Sequence, residues 1–283
     1  MLRGKKDTST KPHVVASFYP LAFLAEQIGG DDVRVSTLVP PGTEPHDFEP
    51  TAQDIAELES SDLLLLNGNG IEPWSDAIET NLKSKHIVVL EVGEGIADRT
   101  TTLEGRAYPD PHVWLSPKIM QTMAERVAQT FMILDAANVS RYQSRLDALV
   151  ETLARLDGEF TSGLGTCKSK TIITAHAAFG YLTDAYGLEQ VSIAGIDPEA
   201  EPAAKDLATL TEFAKDNDVN YIFFETLVSP KLAQTLASEV GAKTLVLDPL
   251  EGLSDDDRAQ DKEYVSVMRD NLNNLQTALE CNT

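Results

Sequence analysis

The sequence is poor in cysteine and in positive charge, and each shortage excludes a class of protein. Two cysteines in 283 residues, Cys167 and Cys281, are too few for a disulfide scaffold or for a cysteine-based zinc site. The 23 lysine and arginine residues are outnumbered by 45 acidic residues, which leaves a net charge of −22. Nucleic acids and anionic lipid surfaces attract basic proteins, so this charge argues against both as partners and would attract cations instead.

Long apolar runs are also missing. No run approaches the ~20 residues that a membrane-spanning helix needs. The first residues, "MLRGKKDTSTKP", are polar and lack the apolar centre of a signal peptide. We therefore expect either a cytosolic protein or a mature or recloned form of an exported one.

Short apolar strands alternate with helical patterns in both halves of the chain. The strands of the first half are "HVVAS", "VRVSTLV", "LLLL" and "HIVVLEV", and those of the second half are "TIITA", "QVSIAG", "YIFFE" and "TLVLD". In the second half the helices fall at about 177–186, 202–216 and 229–240. This alternation predicts right-handed βαβ units and parallel sheets.

Between the halves the alternation stops and two helices follow each other. Ser116 and Pro117 are typical of an N-cap and a first helical residue, and they open a helix to about Leu134. Apolar residues then recur at steps of mostly three or four from Val139 to Phe160, which indicates one long amphipathic helix. We predict an α/β fold of two parallel-sheet βαβ lobes (residues 13–135 and 164–283) joined by a long backbone helix (residues 136–163).

Three of the five histidines share an unusual setting. His46 lies in the stiff loop "VPPGTEPHDFEPT", His112 lies in "YPDPHVWLSP", and His176 closes the strand "KTIITAH". The apolar strand "KTLVLDP" similarly ends in Asp248. Ligands of parallel sheets gather at the carboxyl ends of the strands, so these four side chains could meet in the cleft between the lobes and suit zinc, with manganese or iron possible. They are far apart in sequence and form no local metal motif, so purely structural roles remain the alternative, as we expect for His13 and His86.

Several longer stretches resemble one known family. The segments "VASFYPLAFLAEQIGGDDVRVSTLVPPGTEPHDFEPT", "DPHVWLSP", "AHAAFGYL", "GIDPEAEPAAKDL" and "FFETLVSPKLAQTLASEVGAKTLVLDPL" resemble, in the same order, the metal-binding, substrate-binding proteins of bacterial ABC importers of the ZnuA/TroA type. The resemblance covers residues 13–275. It implies the same two-lobed fold, with a metal ion held in the inter-lobe cleft by residues matching His46, His112, His176 and Asp248.

The resemblance also implies a function. We expect a high-affinity extracytoplasmic zinc receptor, not an enzyme, that delivers its ion to an ABC permease and its ATPase. We expect a monomer that is periplasmic, or extracellular and membrane-anchored. Family members specialised for manganese carry a carboxylate where His176 stands, so zinc is favoured and manganese should bind more weakly. A mixed zinc/manganese receptor, an adhesin-like lipoprotein and a zinc hydrolase are the alternatives, although four protein ligands would leave a hydrolase no open metal position.

Acidic residues near the histidines have expected supporting roles. Glu44 and Asp110 could accept hydrogen bonds from the imidazole rings and fix their tautomers, or each could simply be solvated. Glu225 ends the strand "YIFFE"; it could support a ligand, line the approach to the cleft, or simply be a solvated strand-end carboxylate. The segment "GEGIADRTTTLEGRAYPD" contains no histidine, whereas many zinc-specific members carry a His-rich loop there, so we expect no auxiliary zinc capture.

The two cysteines allow a disulfide. Cys167 lies just before a predicted parallel strand, at the sheet edge remote from the cleft. Cys281 ends the helix after the last strand, and that helix runs back from the cleft side. A Cys167–Cys281 bridge is therefore geometrically possible, with two free thiols as the alternative.

Overall fold

The computed structural model of the protein describes residues 11–96, 99–103 and 106–282. Residues 1–10, which include most of the polar N-terminal stretch, lie outside the described residues, as do residues 97–98 and 104–105 of the histidine-free segment. Within the described ranges, no helix combines the length and the apolar character that crossing a bilayer requires.

The first lobe is a four-stranded parallel sheet with helices packed on it. Its strands lie in the order β2-β1-β3-β4, and β1 and β3 are fully buried. The second helix begins with a capping box, since Thr51 accepts from the backbone of Asp54 and Asp54 accepts from the backbone of Thr51. The elements are β1 (His13–Ala16), α1 (Tyr19–Gly29), β2 (Arg34–Thr37), α2 (Ala52–Glu59), β3 (Leu63–Leu66), α3 (Ser75–Ser84) and β4 (Val88–Glu91).

A small antiparallel hairpin follows, which the sequence did not predict. Its strands are β5 (Thr100–Leu103) and β6 (Arg106–Pro109), with Thr100 opposite Pro109. Four-residue strands without apolar alternation give no local signal, so the sequence analysis predicts no strand at Tyr108 and Pro109. The pairing partner across the hairpin supplies the strand hydrogen bonds instead.

Two helices connect the hairpin to the second lobe. The first is α4 (Pro117–Leu134), and the Ser116 hydroxyl caps it by accepting from the backbone N–H of Ile119 at 3.4 Å. The second is α5 (Val139–Leu164), which has 26 residues and is therefore about 39 Å long. Its buried face carries most of the apolar stripe read from the sequence, and it packs on α1 and α4.

The second lobe repeats the architecture of the first. Its parallel sheet has the order β10-β9-β7-β8, so the fold class predicted from the alternation is confirmed. The last helix returns to pack against α5. The elements are β7 (Thr171–Thr174), α6 (Gly180–Tyr186), β8 (Glu189–Ser192), α7 (Ala204–Asp216), β9 (Tyr221–Phe224), α8 (Lys231–Val240), β10 (Lys243–Val246), α9 (Asp255–Ala259) and α10 (Tyr264–Ala278).

One continuous apolar core joins the two lobes. It includes side chains from α1, α4, α5 and α10, with smaller clusters on the outer faces of the two sheets. Trp114 is fully buried at the junction; its indole Nε1–H donates to the carbonyl of Pro249 at 2.8 Å, and its own carbonyl accepts from the Tyr264 hydroxyl at 2.6 Å. These contacts fix the segment that precedes α4 against the loop that follows β10.

Cys167 and Cys281 are joined in a disulfide across 114 residues. The bridge links the segment before β7, which contains Cys167, to the segment after α10, which contains Cys281. The carbonyl of Leu279 accepts from the backbone N–H groups of Lys168 and Ser169 at 3.1 and 3.2 Å. The C-terminal segment is therefore held to the second lobe by both covalent and hydrogen bonds.

Candidate metal centre

Three histidines from different elements meet between the lobes. His46 lies in the loop between β2 and α2, His112 directly precedes the 3-10 helix Val113–Leu115, and His176 follows β7 by two residues. Their ring centroids are 5.2 to 6.0 Å apart. His112 and His176 are completely buried, and the side chain of His46 is 9% exposed.

Glu251, in the loop after β10, is the fourth member of the group. Its Oε1 lies 3.3 Å from Nε2 of His46, 3.2 Å from Nε2 of His112 and 3.4 Å from Nε2 of His176. The two buried imidazoles approach each other at 3.3 Å, again through their Nε2 atoms. These four side chains are the group among the described residues whose ligand atoms all lie within 4.8 Å of one another.

Asp248, the fourth ligand expected from the sequence, is not part of this group. Its Oδ1 accepts from the backbone N–H of Leu250 at 2.7 Å, and its Oδ2 accepts from the Thr226 hydroxyl at 2.7 Å. The side chain of Asn271 holds the backbone N–H and carbonyl of Asp248 at 2.8 and 2.7 Å. Both carboxylate oxygens of Asp248 are therefore used to shape the loop, and Glu251 lies beside the three histidines where Asp248 was expected.

The turn after Asp248 explains why a residue three positions later reaches the histidines. Leu250 has a φ of 57°, a left-handed conformation that costs free energy for a side chain branched beyond Cβ. The bond from its N–H to Asp248 stabilises that turn, and the bond between Trp114 and Pro249 anchors it to the first lobe. The chain is thereby reversed so that Glu251 faces the imidazoles.

Two carboxylates orient the buried imidazoles. Oδ1 of Asp110 lies 2.8 Å from Nδ1 of His112 and also accepts from its backbone N–H at 3.0 Å. Both carboxylate oxygens of Glu225 lie 2.8 Å from Nδ1 of His176. With Nδ1–H donating to a carboxylate in each ring, the Nε2 lone pair of the neutral imidazole is directed toward the centre of the group.

Glu44 has a different relation to its histidine. Its Oε1 accepts from the backbone N–H of His46 at 3.1 Å, which stabilises the loop but leaves the ring untouched. Gly42 has a φ of 76°, so a residue without Cβ is needed where this loop turns between its prolines. The proline-rich loop thus presents His46 with little freedom left to lose on ligand binding.

At the centre of the group, the negative charge of Glu251 and the positive charge of protonated imidazoles stabilise each other, whereas burial disfavours both. Burial disfavours the charged form of each group, but His176 and the hydrogen bonds from the other imidazoles hold the pKa of Glu251 well below its usual range. Burial likewise opposes protonation of the imidazoles. Asp110 and Glu251 nevertheless raise the pKa of His112, while Glu225 and Glu251 raise that of His176 well above its ordinary value. Glu251 therefore stays ionised, and protons compete for the inward-facing Nε2 atoms.

The pKa values of the neighbouring acids Glu44 and Asp248 are raised, whereas that of Glu251 is lowered. Burial, followed by repulsion from Glu251, raises the pKa of Glu44 to about 9. Burial also raises the pKa of Asp248 to about 6, although the bonds from Thr226 and Leu250 partly oppose this. At neutral pH Glu44 is therefore protonated and Glu251 is the charged carboxylate beside it.

The distances fit a tetrahedral ion. A zinc ion bound to nitrogen at ~2.0–2.1 Å has ligand atoms separated by roughly 3.3–3.4 Å, which is 1.63 times the bond length. Four of the six separations within the group, three to Glu251 and one between His112 and His176, run from 3.2 to 3.4 Å, and all six lie within 4.8 Å. Three imidazole nitrogens and one carboxylate oxygen could therefore hold such an ion with little rearrangement.

Two parallel-sheet lobes that enclose a buried set of metal-ligating side chains define a substrate-binding protein of the cleft type, with a metal ion as its substrate. The chain belongs to the ZnuA family, because the family described as zinc-uptake complex component A, periplasmic, matches residues 14–278. The resemblance stated from the sequence is thus confirmed.

Relatives and solved structures agree with this assignment. The chain is 37% identical over 289 residues to the high-affinity zinc uptake system protein ZnuA of Bacillus subtilis, covering 98% of this chain and 91% of that protein. It superposes with a TM-score of 0.83 and 36% identity on the Zn(II)-bound ZnuA-like domain of Streptococcus pneumoniae AdcA, over 96% of this chain and 100% of that one. The laminin-binding protein Lmb of Streptococcus agalactiae, described as bifunctional with adhesin and metal-transporting activity, gives a TM-score of 0.86 at 32% identity, over 95% and 99% of the chains. The chain spans only 56% of full-length pneumococcal AdcA.

Sequence reasoning missed Glu251 for an identifiable reason. The expected ligand was an acid at the end of a strand, and Asp248 is the acid that ends "KTLVLDP". The available signal was the following "DPLEG", because an aspartate before a proline is typical of a turn in which the aspartate side chain bonds to the backbone. An aspartate used in this way is not free to ligate, and the next acid along the chain is Glu251.

Proposed function

We propose that the protein is a receptor that captures zinc with His46, His112, His176 and Glu251 and delivers it to an ABC importer. The observation that carries the proposal is the convergence of three Nε2 atoms on one carboxylate oxygen at 3.2 to 3.4 Å, the spacing of a tetrahedral zinc shell. The family assignment and the zinc-bound structure of the AdcA domain support the same substrate.

Zinc is favoured over manganese by the donor set. Three imidazoles and one carboxylate match a borderline-soft ion in four-coordination, whereas manganese prefers a larger shell rich in oxygen. Glu225, which could have supplied more oxygen, is hydrogen-bonded to His176. Manganese should bind at the same place, but more weakly.

A receptor explains the site better than an enzyme does. Catalytic zinc keeps one open position for water or substrate, and here four protein donors complete a tetrahedral shell. Asp110 and Glu225, two candidates for a general base, are each engaged by the Nδ1 of a histidine. Capture and release of an ion need neither an open position nor a base.

The partners follow from the class of protein. A cleft receptor hands its ion to a permease, which an ATPase drives, and we propose a monomer as the working unit. The location is extracytoplasmic, supported by the periplasmic description of the family and by the name of the pneumococcal relative, zinc-binding lipoprotein AdcA. Lmb, which is described as bifunctional with adhesin and metal-transporting activity, shares the same fold.

Titration calorimetry of the metal-stripped protein tests the proposal. We expect tight binding of one zinc per chain and weaker binding of manganese, with zinc binding lost in His176→Ala. His86→Ala is the matched control, because His86 is exposed and lies outside the metal-ligating group. Weak binding of several zinc ions, or equal binding by wild type and His176→Ala, would contradict the proposed function.

A further inference from the structure

Arg99 bridges the two lobes beside the metal-ligating group. In the first lobe its carbonyl accepts from the backbone N–H of Asp110 at 3.0 Å, and its Nε lies 3.5 Å from Oδ2 of Asp110. Toward the second lobe its backbone N–H donates to the Tyr181 hydroxyl at 3.1 Å, and its guanidinium NH1 donates to Asp184. Tyr181 and Asp184 both belong to α6.

The contact with Asp110 reaches a metal-ligating side chain through one carboxylate. Asp110 uses Oδ1 for both the ring and the backbone of His112, which leaves Oδ2 for Arg99. The carboxylate is a rigid planar group, so a cation at one oxygen restrains the orientation of the other. Arg99 therefore supports the imidazole of His112 without touching it.

Gly180 allows this arrangement by its lack of a side chain. A Cβ at Gly180 would lie 2.4 Å from Nε of Arg99 and 2.8 Å from Oδ2 of Asp110. At distances below 3.0 Å a neighbouring atom must shift, so a Cβ at the first residue of α6 would displace the guanidinium of Arg99 or the carboxylate of Asp110. The close approach of the second lobe to this ion pair therefore favours glycine here, and the φ of Gly180 is not in the left-handed region.

We propose that Arg99 is a positioning residue that couples closure of the lobes to the orientation of His112 and slows release of the bound ion. The inference rests on the proposed function as a zinc receptor. His176 and Gly180 are four residues apart in the same lobe, so a movement that withdrew His176 from the ion would also withdraw Gly180, Tyr181 and Asp184 from Arg99. Separation of the lobes therefore frees Asp110 and His112 together.

The expected change in the zinc dissociation rate depends on how far the Arg99–Asp184 ion pair is exposed to water. The side chains of Arg99 and Asp184 are 35% and 58% exposed, so water screens their ion pair and its contribution is modest. We expect Asp184→Asn to raise the zinc dissociation rate about threefold. Arg99→Gln, which also removes the partner of Asp110, should raise it about tenfold, and Gly180→Ala should act in the same direction. The association rate should change less than about twofold, because affinity differences within one site lie mostly in dissociation.

Stopped-flow release of zinc into excess chelator measures these rates on the full chain. Arg141→Gln is the matched control, because it removes the contact of an exposed arginine with a carboxylate, Asp32 at 2.7 Å, outside the metal-ligating group. Arg99→Lys should recover part of the wild-type rate, since a lysine can contact one partner but not span both.

Three results would overturn the proposed role of Arg99 or the proposed function as a zinc receptor. Dissociation rates of Arg99→Gln and Asp184→Asn that equal the wild-type rate overturn the proposal. Faster release in Arg99→Gln with no change in Asp184→Asn also overturns it, because support of Asp110 alone would then account for the effect. Failure of the wild type itself to bind zinc refutes the proposed function instead, and thermal unfolding of Asp184→Asn at the wild-type temperature shows that its effect is not a folding defect.

Discussion

Exchange of Glu251 for glutamine is the most informative single change in this protein. Glutamine keeps the length of the side chain, but it removes the negative charge on which three imidazoles converge at 3.2 to 3.4 Å. Tetrahedral zinc sites in small peptides are worth ~10–16 kcal/mol, so one of four ligands corresponds to roughly 2.5–4 kcal/mol. Glu251→Gln should therefore weaken zinc binding by about two to three orders of magnitude.

Asp248→Asn is the matched comparison, because it makes the same chemical change three residues earlier. Asparagine can still accept from the N–H of Leu250 with its side-chain oxygen, and the loop should remain in place. We expect the zinc dissociation constant to rise less than about tenfold, and the free energy of unfolding to fall by about 1 kcal/mol as the Thr226 contact weakens.

Competition with a chromogenic chelator measures both dissociation constants, and circular dichroism checks that each variant is folded. The opposite ranking would refute the reasoning: an intact site in Glu251→Gln together with a hundredfold loss in Asp248→Asn would return the fourth ligand to Asp248. Similar losses in both variants would mean that the loop, not the charge, determines affinity.

Two further predictions concern protons and the disulfide. Because the pKa values of His112 and His176 are raised above 6.5, protons compete with zinc for these imidazoles already above pH 6.5. The affinity for zinc should therefore fall as the pH is lowered toward and through 6.5, while Glu251 stays ionised. Calorimetry in buffers of different ionisation enthalpy should show proton release on zinc binding near neutral pH; a pH-independent affinity between pH 8 and 6 would contradict this. For the bridge across 114 residues, Cys167→Ser with Cys281→Ser should lower the free energy of unfolding by roughly 4–5 kcal/mol in the entropic model, with zinc affinity unchanged. Urea denaturation checks this, with reductant expected to destabilise only the wild type; an unchanged midpoint would show that the bridge contributes nothing.

The regular parts of the fold were predictable from local pattern. The eight strands of the two parallel sheets all overlap the stretches that the sequence predicted as strands. The N-cap of α4 at Ser116 and the capping box of Thr51 and Asp54 are formed by residue types that favour these roles. The β5–β6 hairpin was not predictable, because its strands are short and depend on each other for hydrogen bonds. Local sequence determines a structure only where the stabilising partners are themselves local.

The residues of the metal centre likewise fall into those that the sequence predicted and those that only the tertiary structure identified. The sequence by itself determined the fold class, the family, and the three histidines, because stiff loops and strand ends mark the positions of His46, His112 and His176. Only the tertiary structure decided between Asp248 and Glu251, since both acids follow the same strand and only the turn at Leu250, anchored by Trp114 from the other lobe, directs one of them to the imidazoles. The link from Arg99 to Asp184, 85 residues away, likewise exists only because the lobes pack together. Contacts between distant segments depend on how the lobes are placed, which no local pattern specifies.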